Sequence, residues 1–314
     1  MEEIRCIFCG KDNRTVVLEE NGYSGVKCPA CDLIYLSPRP GLAEILERYG
    51  HDRAVHAAGS IIRDDVSKRL HARHMLRIIK GFLGTGSILE IGAGAGYFLD
   101  EARRTGFDVS GIEINPIEAN FIRKELNVCC ESNPLHESSF GGKTFDLVYH
   151  GNVLSHLYDP IAEFRKIHDR LRDGGMLVFE TGNLGEVKKK YYPRASPFEY
   201  PDHLFFFGKK SLRRLVQLTG FELINIYEYN LSWQLLTGKV LRQVARALSR
   251  SRGSEKREPI PPATTLPARR KRTGLIKALR AANAWMSHFL IYKLGSVWLS
   301  EGRPETLIVI VRKA

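Results

Sequence analysis

The chain has 314 residues, 43% of them hydrophobic, enough to bury a full α/β core and still carry appendages. Its net charge of +12 is concentrated between residues 238 and 280, where thirteen Lys or Arg face only Glu255 and Glu258; the basic character belongs to one appendage and says little about an active site. Near the C-terminus, the apolar stretch Ala281 to Leu299 is interrupted by Asn283, His288 and Lys293, which argues against a membrane-spanning helix and leaves surface association open.

Met1-Glu2-Glu3 leads into no apolar run, so no signal or transit peptide is visible and a cytoplasmic enzyme is expected. Without an export signal, six cysteines argue for thiols or metal ligation before disulfides. Cys6-x2-Cys9 and Cys28-x2-Cys31, eighteen residues apart, form two knuckles able to present four thiolates tetrahedrally. Soft thiolates select zinc, and four cysteines leave no open position, so a structural zinc is expected. Residues 1–40 end at Ser37-Pro38-Arg39-Pro40, an extended linker, and read as a separate small zinc-binding module.

Residues 41–80 carry helical spacing, with Leu42, Ile45 and Leu46 in one piece and Ile62, Val66 and Leu70 in the next, and are expected as a helical linker or lid. From Gly86 short apolar runs alternate with amphipathic segments, the pattern of a parallel sheet flanked by helices, and this core extends to about residue 230. Ser87–Ile91, Phe107–Glu113, Phe145–His150, Met176–Thr181 and Phe221–Tyr227 read as strands, with Val128–Cys130 shorter. Asn115-Pro116 opens a helix, and the face Ile161, Phe164, Ile167, Leu171 is ended by Asp173-Gly174-Gly175. Ser211 and Gly220 bracket another helix. Residues 231–304 form a basic helical insertion whose Ser, Pro and Arg-rich middle is expected to be disordered. The β-branched run Thr306–Val311 within residues 305–314 reads as a buried final strand.

Ile88-Leu89-Glu90-Ile91-Gly92-Ala93-Gly94-Ala95-Gly96-Tyr97 is a strand running into a glycine-rich turn and then a helix. A ligand must approach this backbone closely. Glu113, at the end of the next strand, is an acceptor-only group suited to two ribose hydroxyls. Glu90 gives Glu-x-Gly-x-Gly-x-Gly where dinucleotide sites read Gly-x-Gly-x-x-Gly after an apolar residue. An acid there can face a cationic methionine end and would disfavour a pyrophosphate, so S-adenosylmethionine is favoured over a nicotinamide cofactor.

The run Ile88 to Asn183 resembles the class I methyltransferase family, in particular its bacterial branch with an N-terminal zinc-binding module. Phe145-Asp146-Leu147-Val148 with Gly151 to Pro160 is similar to that family's fourth-strand motif, Leu171 to Val178 to its fifth, and Ile308 to Lys313 to its closing antiparallel strand. The resemblance covers roughly residues 1–230 plus the last ten. It implies a Rossmann-like seven-stranded α/β sheet with an N-terminal zinc ribbon and a helical insertion before the last strand. It also implies that Glu90, Gly92, Ala93, Gly94 and Gly96 cradle the methionine end, that Glu113 and the adjoining Ile114 meet the ribose, and that Asn152 lies beside the donor. For the acid that often holds the adenine amine, only Glu131 is available.

Methyl transfer from a sulfonium mainly needs an aligned acceptor and, where required, a base. Histidine suits that role, and His150, His156 and His203 all follow strands expected to end near the donor. His203 lies in Glu199-Tyr200-Pro201-Asp202-His203-Leu204-Phe205-Phe206-Phe207, which resembles the family's acceptor-site segment, where related sugar methyltransferases place a base. Tyr200 suits orienting an acceptor, whereas packing is the commoner fate of aromatics such as Tyr191, Tyr192 and Phe205 to Phe207; the plainer alternatives for the histidines are that His203 orders an aromatic loop and that His156 caps the next helix. The cationic insertion suits anionic lipid more than RNA, because Arg242 to Arg272 contains no aromatic residue; a solvated lid is the remaining option. The expected activity is methyl transfer to a small or lipid-linked acceptor, a sugar or glycan hydroxyl or carbon. Its rivals are an RNA methyltransferase and a non-catalytic S-adenosylmethionine-binding protein.

Overall fold

The apolar runs from Ser87 onward lie side by side in one seven-stranded sheet in the computed structural model, which describes residues 1–13, 15–50, 62, 65–135, 137–138, 140–195, 197–232, 274–297 and 301–314. The Ser, Pro and Arg-rich piece of the insertion, its basic stretch before it, and Trp298 lie outside the described residues. The strands are β4 (Ser87–Ile91), β5 (Asp108–Ile112), β6 (Cys129–Glu131), β7 (Phe145–Gly151), β8 (Leu171–Gly182), β10 (Phe221–Asn230) and β11 (Glu305–Lys313). Their order across the sheet is β10-β11-β8-β7-β4-β5-β6. β11 is antiparallel to both neighbours, and the pairs among β4 to β8 are parallel.

Both faces of this sheet are buried. Along β11, Leu307, Val309 and Val311 point into one apolar layer and Ile308 and Ile310 into the other, all fully buried, which explains an unbroken β-branched run instead of an alternating one. From β4 the chain moves outward to β5 and β6 and then returns to β7 on the other side of β4. Neighbouring connections therefore diverge between β4 and β7, and a crevice opens there at the carboxyl ends of the strands, where ligands of such sheets bind.

The helices follow local rules. α4 (Pro116–Glu125) starts at Asn115, whose Oδ1 accepts the Ile117 and Glu118 amides at 3.0 and 3.4 Å. α5 (Pro160–Arg170) is capped by Asp159, which accepts the Ala162 amide, so His156 does not cap it. α5 stops at Arg170, and Asp173-Gly174-Gly175 lies within β8, with Gly174 at φ +71° bending that strand. α6 (Lys209–Leu218) begins after Gly208, and Ser211 sits inside its first turn, accepting the Gly208 amide at 2.8 Å instead of preceding the helix. α1 (Leu42–Gly50) and α2 (Asp65–Lys80) precede the sheet, while α3 (Tyr97–Arg104) follows the glycine turn. In the insertion, α7 (Gly274–Phe289) runs into a π-helical turn, Leu290–Leu294, and packs on α2. No helix among the described residues is long and apolar enough to cross a membrane.

Residues 1–40 form β1 (Val16–Glu20), β2 (Tyr23–Lys27) and β3 (Ile34–Leu36). This small sheet continues into β9 (Phe205–Phe206), with Ile34 opposite Phe206 and Tyr35 opposite Phe205. The N-terminal segment, expected as a separate module, therefore shares a sheet and one apolar layer with the later chain. Arg39 reinforces the junction by donating to Glu2 and to the Tyr158 carbonyl.

Candidate functional site

The glycine turn follows β4 and leaves the sheet at the β4/β7 crevice. Gly92, Gly94 and Gly96 hold φ of +68°, +54° and +69°, a left-handed backbone that favours glycine. Two of the three also answer packing: a Cβ on Gly92 would meet Val153 at 2.5 Å, and one on Gly96 would meet Ile122 at 2.7 Å. Gly92 and Ala93 both donate to the Ile112 carbonyl, which clamps the turn to the end of β5. Glu113, one residue on, accepts the Gly94 amide at 2.7 Å through Oε2 and the Asn115 amide at 2.8 Å through Oε1. Ile114 follows it and is partly exposed.

Around this turn the fold buries carboxylates that water would otherwise solvate. Glu90, Glu113 and Glu118 are each at most 6% exposed. Glu90 Oε2 and Glu118 Oε1 have no hydrogen-bond partner among the described residues. Burial, and then the Glu113 charge, pushes Glu90 well above the usual carboxylate range and Glu118 up to about 8; burial raises Glu113. Lys68, on the overlying α2, offsets part of this for Glu90 and Glu118. Such a group of buried acids is costly alone. A ligand that brings positive charge and donor hydroxyls would offset that cost.

Across the crevice, Asn152 follows β7 at φ +58°, exposed, with its amide donating to the Glu180 carbonyl at 3.0 Å. Glu180, at the end of β8, is buried. Burial alone would raise it, yet the His71 charge and hydrogen bonding, with help from Lys68 and Asn152, hold it below the usual range. Its Oε2 stands 2.9 Å from His71 Nε2, ion-pair distance, although the ring is turned off the line of a good hydrogen bond.

The histidines singled out by sequence separate. His150 is a core residue: it is 1% exposed, stacks on Phe179 at 5.2 Å between centroids, leaves both ring nitrogens unpartnered among the described residues, and is pushed to about 3 by burial. It does not face the crevice as expected. His156 and His203 come together, their ring centroids 4.5 Å apart. His156 Nδ1 lies 2.9 Å from the Asp202 carbonyl and His203 Nδ1 lies 2.8 Å from that of Phe198. With Nδ1–H donating to a carbonyl, His203 keeps Nε2 as its accepting nitrogen. Burial, and then the charge of His203, lowers His156 to about 4.

Tyr200 is turned onto the ribbon. It is 3% exposed, its hydroxyl lies so close to Gly25 of β2 that a Cβ there would collide, and its own amide donates to Glu20 at 3.0 Å. Glu131, the only candidate for the adenine amine, accepts the Phe140 amide through Oε1 at 3.0 Å.

Cys6, Cys9, Cys28 and Cys31 converge, with all four sulfurs within 4.8 Å of one another. Cys6 to Cys31 is 3.3 Å and Cys9 to Cys28 is 3.6 Å, near the spacing of about 3.8 Å that thiolates around a tetrahedral zinc require at Zn–S of about 2.3 Å. Gly10 and Asp32, at φ +67° and +59°, turn the two knuckles, their amides donating to the Cys6 and Cys28 carbonyls. Contact with Cys31 and burial raise the Cys6 thiol.

Sequence reasoning missed Glu118, Glu180, Lys68 and His71. Glu180 left a signal, a lone acid closing an otherwise apolar strand. Glu118 reads as an ordinary acid in the first turn of a capped helix, and Lys68 and His71 lie on a helix without a motif.

A family model described as a methyltransferase domain matches residues 62–226. Among curated proteins, the chain is 29% identical over 156 residues to a ubiquinone biosynthesis O-methyltransferase of Ruegeria pomeroyi, covering 43% of this chain and 62% of that one. It is 28% identical over 161 residues to a tRNA U34 carboxymethyltransferase of Psychromonas ingrahamii, covering 48% of each. The match thus spans about half to three-fifths of the length of these relatives. Among solved structures, a putative sarcosine dimethylglycine methyltransferase from Galdieria sulphuraria aligns with a TM-score of 0.49 at 13% identity, over 79% of this chain and 85% of that one.

Proposed function

The chain belongs to the methyltransferase-domain family, and from that premise we propose that it moves a methyl group from S-adenosylmethionine to a hydroxyl of a small or lipid-linked acceptor. The observation that carries the donor assignment is the set of buried acids at the glycine turn, two of them with an oxygen left without a partner. When bound, S-adenosylmethionine supplies an electrophilic methyl carbon on a cationic sulfur. Glu90 and the backbone of Gly92, Ala93, Gly94 and Gly96 would hold its methionine end. Glu113, by exchanging its bond to Gly94 for ribose hydroxyls, and Glu118 would hold the nucleoside, with Ile114 beside it and Asn152 next to the sulfonium. Zinc at Cys6, Cys9, Cys28 and Cys31 would serve the ribbon's structure, since four thiolates leave no open position.

On the acceptor side, His156 follows Val153, the residue packed on Gly92, and His203 adjoins it. We assign His203 Nε2 to accepting a hydrogen bond from an acceptor hydroxyl, with His156 and Tyr200 supporting its loop. The hydroxyl preference is supported by the O-methyltransferase among the relatives. A lipid-linked acceptor is supported by Trp285, Met286 and Phe289 on α7, which are 59%, 56% and 50% exposed. Transfer to RNA is the second reading, favoured by the tRNA-modifying relatives and the basic insertion.

Calorimetric titration with S-adenosylhomocysteine tests the donor site. Wild-type protein is expected to bind, and Glu113→Ala to bind at least about tenfold more weakly, the loss of one or two hydrogen bonds to a charged group. Absence of heat with the wild type, zinc in place, would remove the reading.

A further inference from the structure

Beneath α7, a cluster of rings and one acid has no part in the transfer as described so far. Tyr292 Oη, from the π-helical turn, lies 2.6 Å from His71 Nδ1 on α2. His71 Nε2 in turn faces Glu180 Oε2 at 2.9 Å, with Tyr149 Oη at 3.5 Å from the same nitrogen. The His71 side chain is 28% exposed, that of Glu180 only 7%, and Tyr292 is 7% exposed, so the ring in the middle of the row is its open member. The row ends beside Asn152, whose amide binds the Glu180 carbonyl. Holding the insertion on the core would need only the Tyr292–His71 hydrogen bond and the stacking of Tyr292 on His74 at 3.9 Å. A buried carboxylate behind the imidazole adds a desolvation cost that such a tie does not require, and it suits a ring that must carry positive charge.

We propose that Tyr292, His71 and Glu180 form a proton relay for the methyl acceptor, so that the C-terminal insertion supplies one wall of the acceptor site. The relay rests on the methyltransferase reading above. With the proton of the neutral ring on Nε2, the side that faces Glu180 at ion-pair distance, Nδ1 is the accepting nitrogen and Tyr292 donates to it. The acceptor hydroxyl that takes the methyl, distinct from the one assigned to His203 Nε2, lies against Tyr292 Oη in this proposal and gives its proton to that oxygen while Tyr292 passes its own to His71 Nδ1. The acceptor oxygen bonds to the methyl carbon as the donor's carbon–sulfur bond breaks, its electron pair remaining on sulfur. The positive charge comes to rest as an imidazolium facing the Glu180 carboxylate, and the proton leaves to water from the exposed ring. Tyr292 is the catalytic residue of the three; His71 and Glu180 act through it. The other groups around the ring are Lys68 and His74 on α2, Tyr149 on β7, Tyr229 on β10 and His288 on α7. Burial lowers His74 to about 3, and lowers His288 as well.

The test uses the full-length zinc-loaded protein and the variants His71→Gln, Tyr292→Phe and Glu180→Gln. Transfer from tritiated S-adenosylmethionine into the small-molecule, lipid and RNA fractions of a cell extract is measured from about pH 5 to 9, alongside calorimetric binding of S-adenosylhomocysteine. The relay predicts donor-product binding within about threefold of wild type for His71→Gln and Tyr292→Phe, with transfer lowered about 100-fold. The acid limb of the wild-type rate profile disappears in His71→Gln and moves to lower pH in Glu180→Gln, where the imidazolium has lost its counter-charge. Wild-type rates and profiles in His71→Gln and Tyr292→Phe overturn the relay, as does wild-type product binding with no incorporation into any fraction. Failure of the wild type to bind S-adenosylhomocysteine sinks the methyltransferase reading instead.

Discussion

Glu118 shows how position, not residue type, sets the charge state a group prefers. It stands in the first turn of α4, where an acid normally faces water and favours the helix dipole; here it is 5% exposed and pushed up to about 8 by burial and Glu113. A folded-state value above the ordinary 4.5 means that the folded chain holds more protons than the unfolded one between about pH 4.5 and 8. The contribution of the group to stability is therefore complete below about 4.5 and lost as pH rises through about 8. Glu118→Gln should match wild type in Tm near pH 5 and exceed it near pH 8.5, by scanning calorimetry without ligand. A Tm difference that is the same at both pH values would mean a solvated carboxylate. The acids Glu90 and Glu113 were legible in the sequence from their places around a glycine turn. Glu118 was not, because the turn that buries it comes from α4 docking under Gly96, where Ile122 fills the space a side chain would take. Tyr200 differs from its expected part for the same kind of reason: the strand it lies on, β2, is more than 170 residues away in sequence.

Elements were read more reliably than their ends. The strand Ser87–Ile91 and the capped start of α4 lie where periodicity and Asn115-Pro116 place them, since both signals are local. The helix before β8 ends at Arg170, short of Asp173-Gly174-Gly175, because pairing with β7 from Leu171 onward captures the backbone that the glycines were expected to release. Asn115 offers an element-scale test. Its Oδ1 serves two α4 amides while its own amide serves Glu113. Asn115→Ala removes only the first function and should cost about 1 kcal/mol, lowering Tm by roughly 2–4 °C in thermal denaturation; an unchanged Tm would show that α4 is held by packing alone.

At the scale of the molecule, the ribbon and the core are joined through β9. The amide of Leu36 also donates to the Leu204 carbonyl at 2.9 Å, so the strand next to His203 pairs with the segment that carries the four cysteines. With the proposed zinc on the four cysteines, treatment with a strong chelator should therefore lower amide-exchange protection at residues 204–206 together with 34–36, while β4 and β7 stay protected. Loss confined to residues 6–33 would show that the ribbon and the acceptor loop are independent. Composition, apolar period and the spacing of glycines and cysteines determined by themselves the α/β core, the glycine turn and the paired cysteine knuckles, because each is written in residues close together along the chain. Only the tertiary structure decided which acids are buried together, that His150 is core, and that α2 and the insertion bring His71 and Tyr292 to Glu180. Those facts depend on packing between separate elements, His71 and Tyr292 lying 221 residues apart, and no local pattern records the desolvation that gives such groups their chemistry.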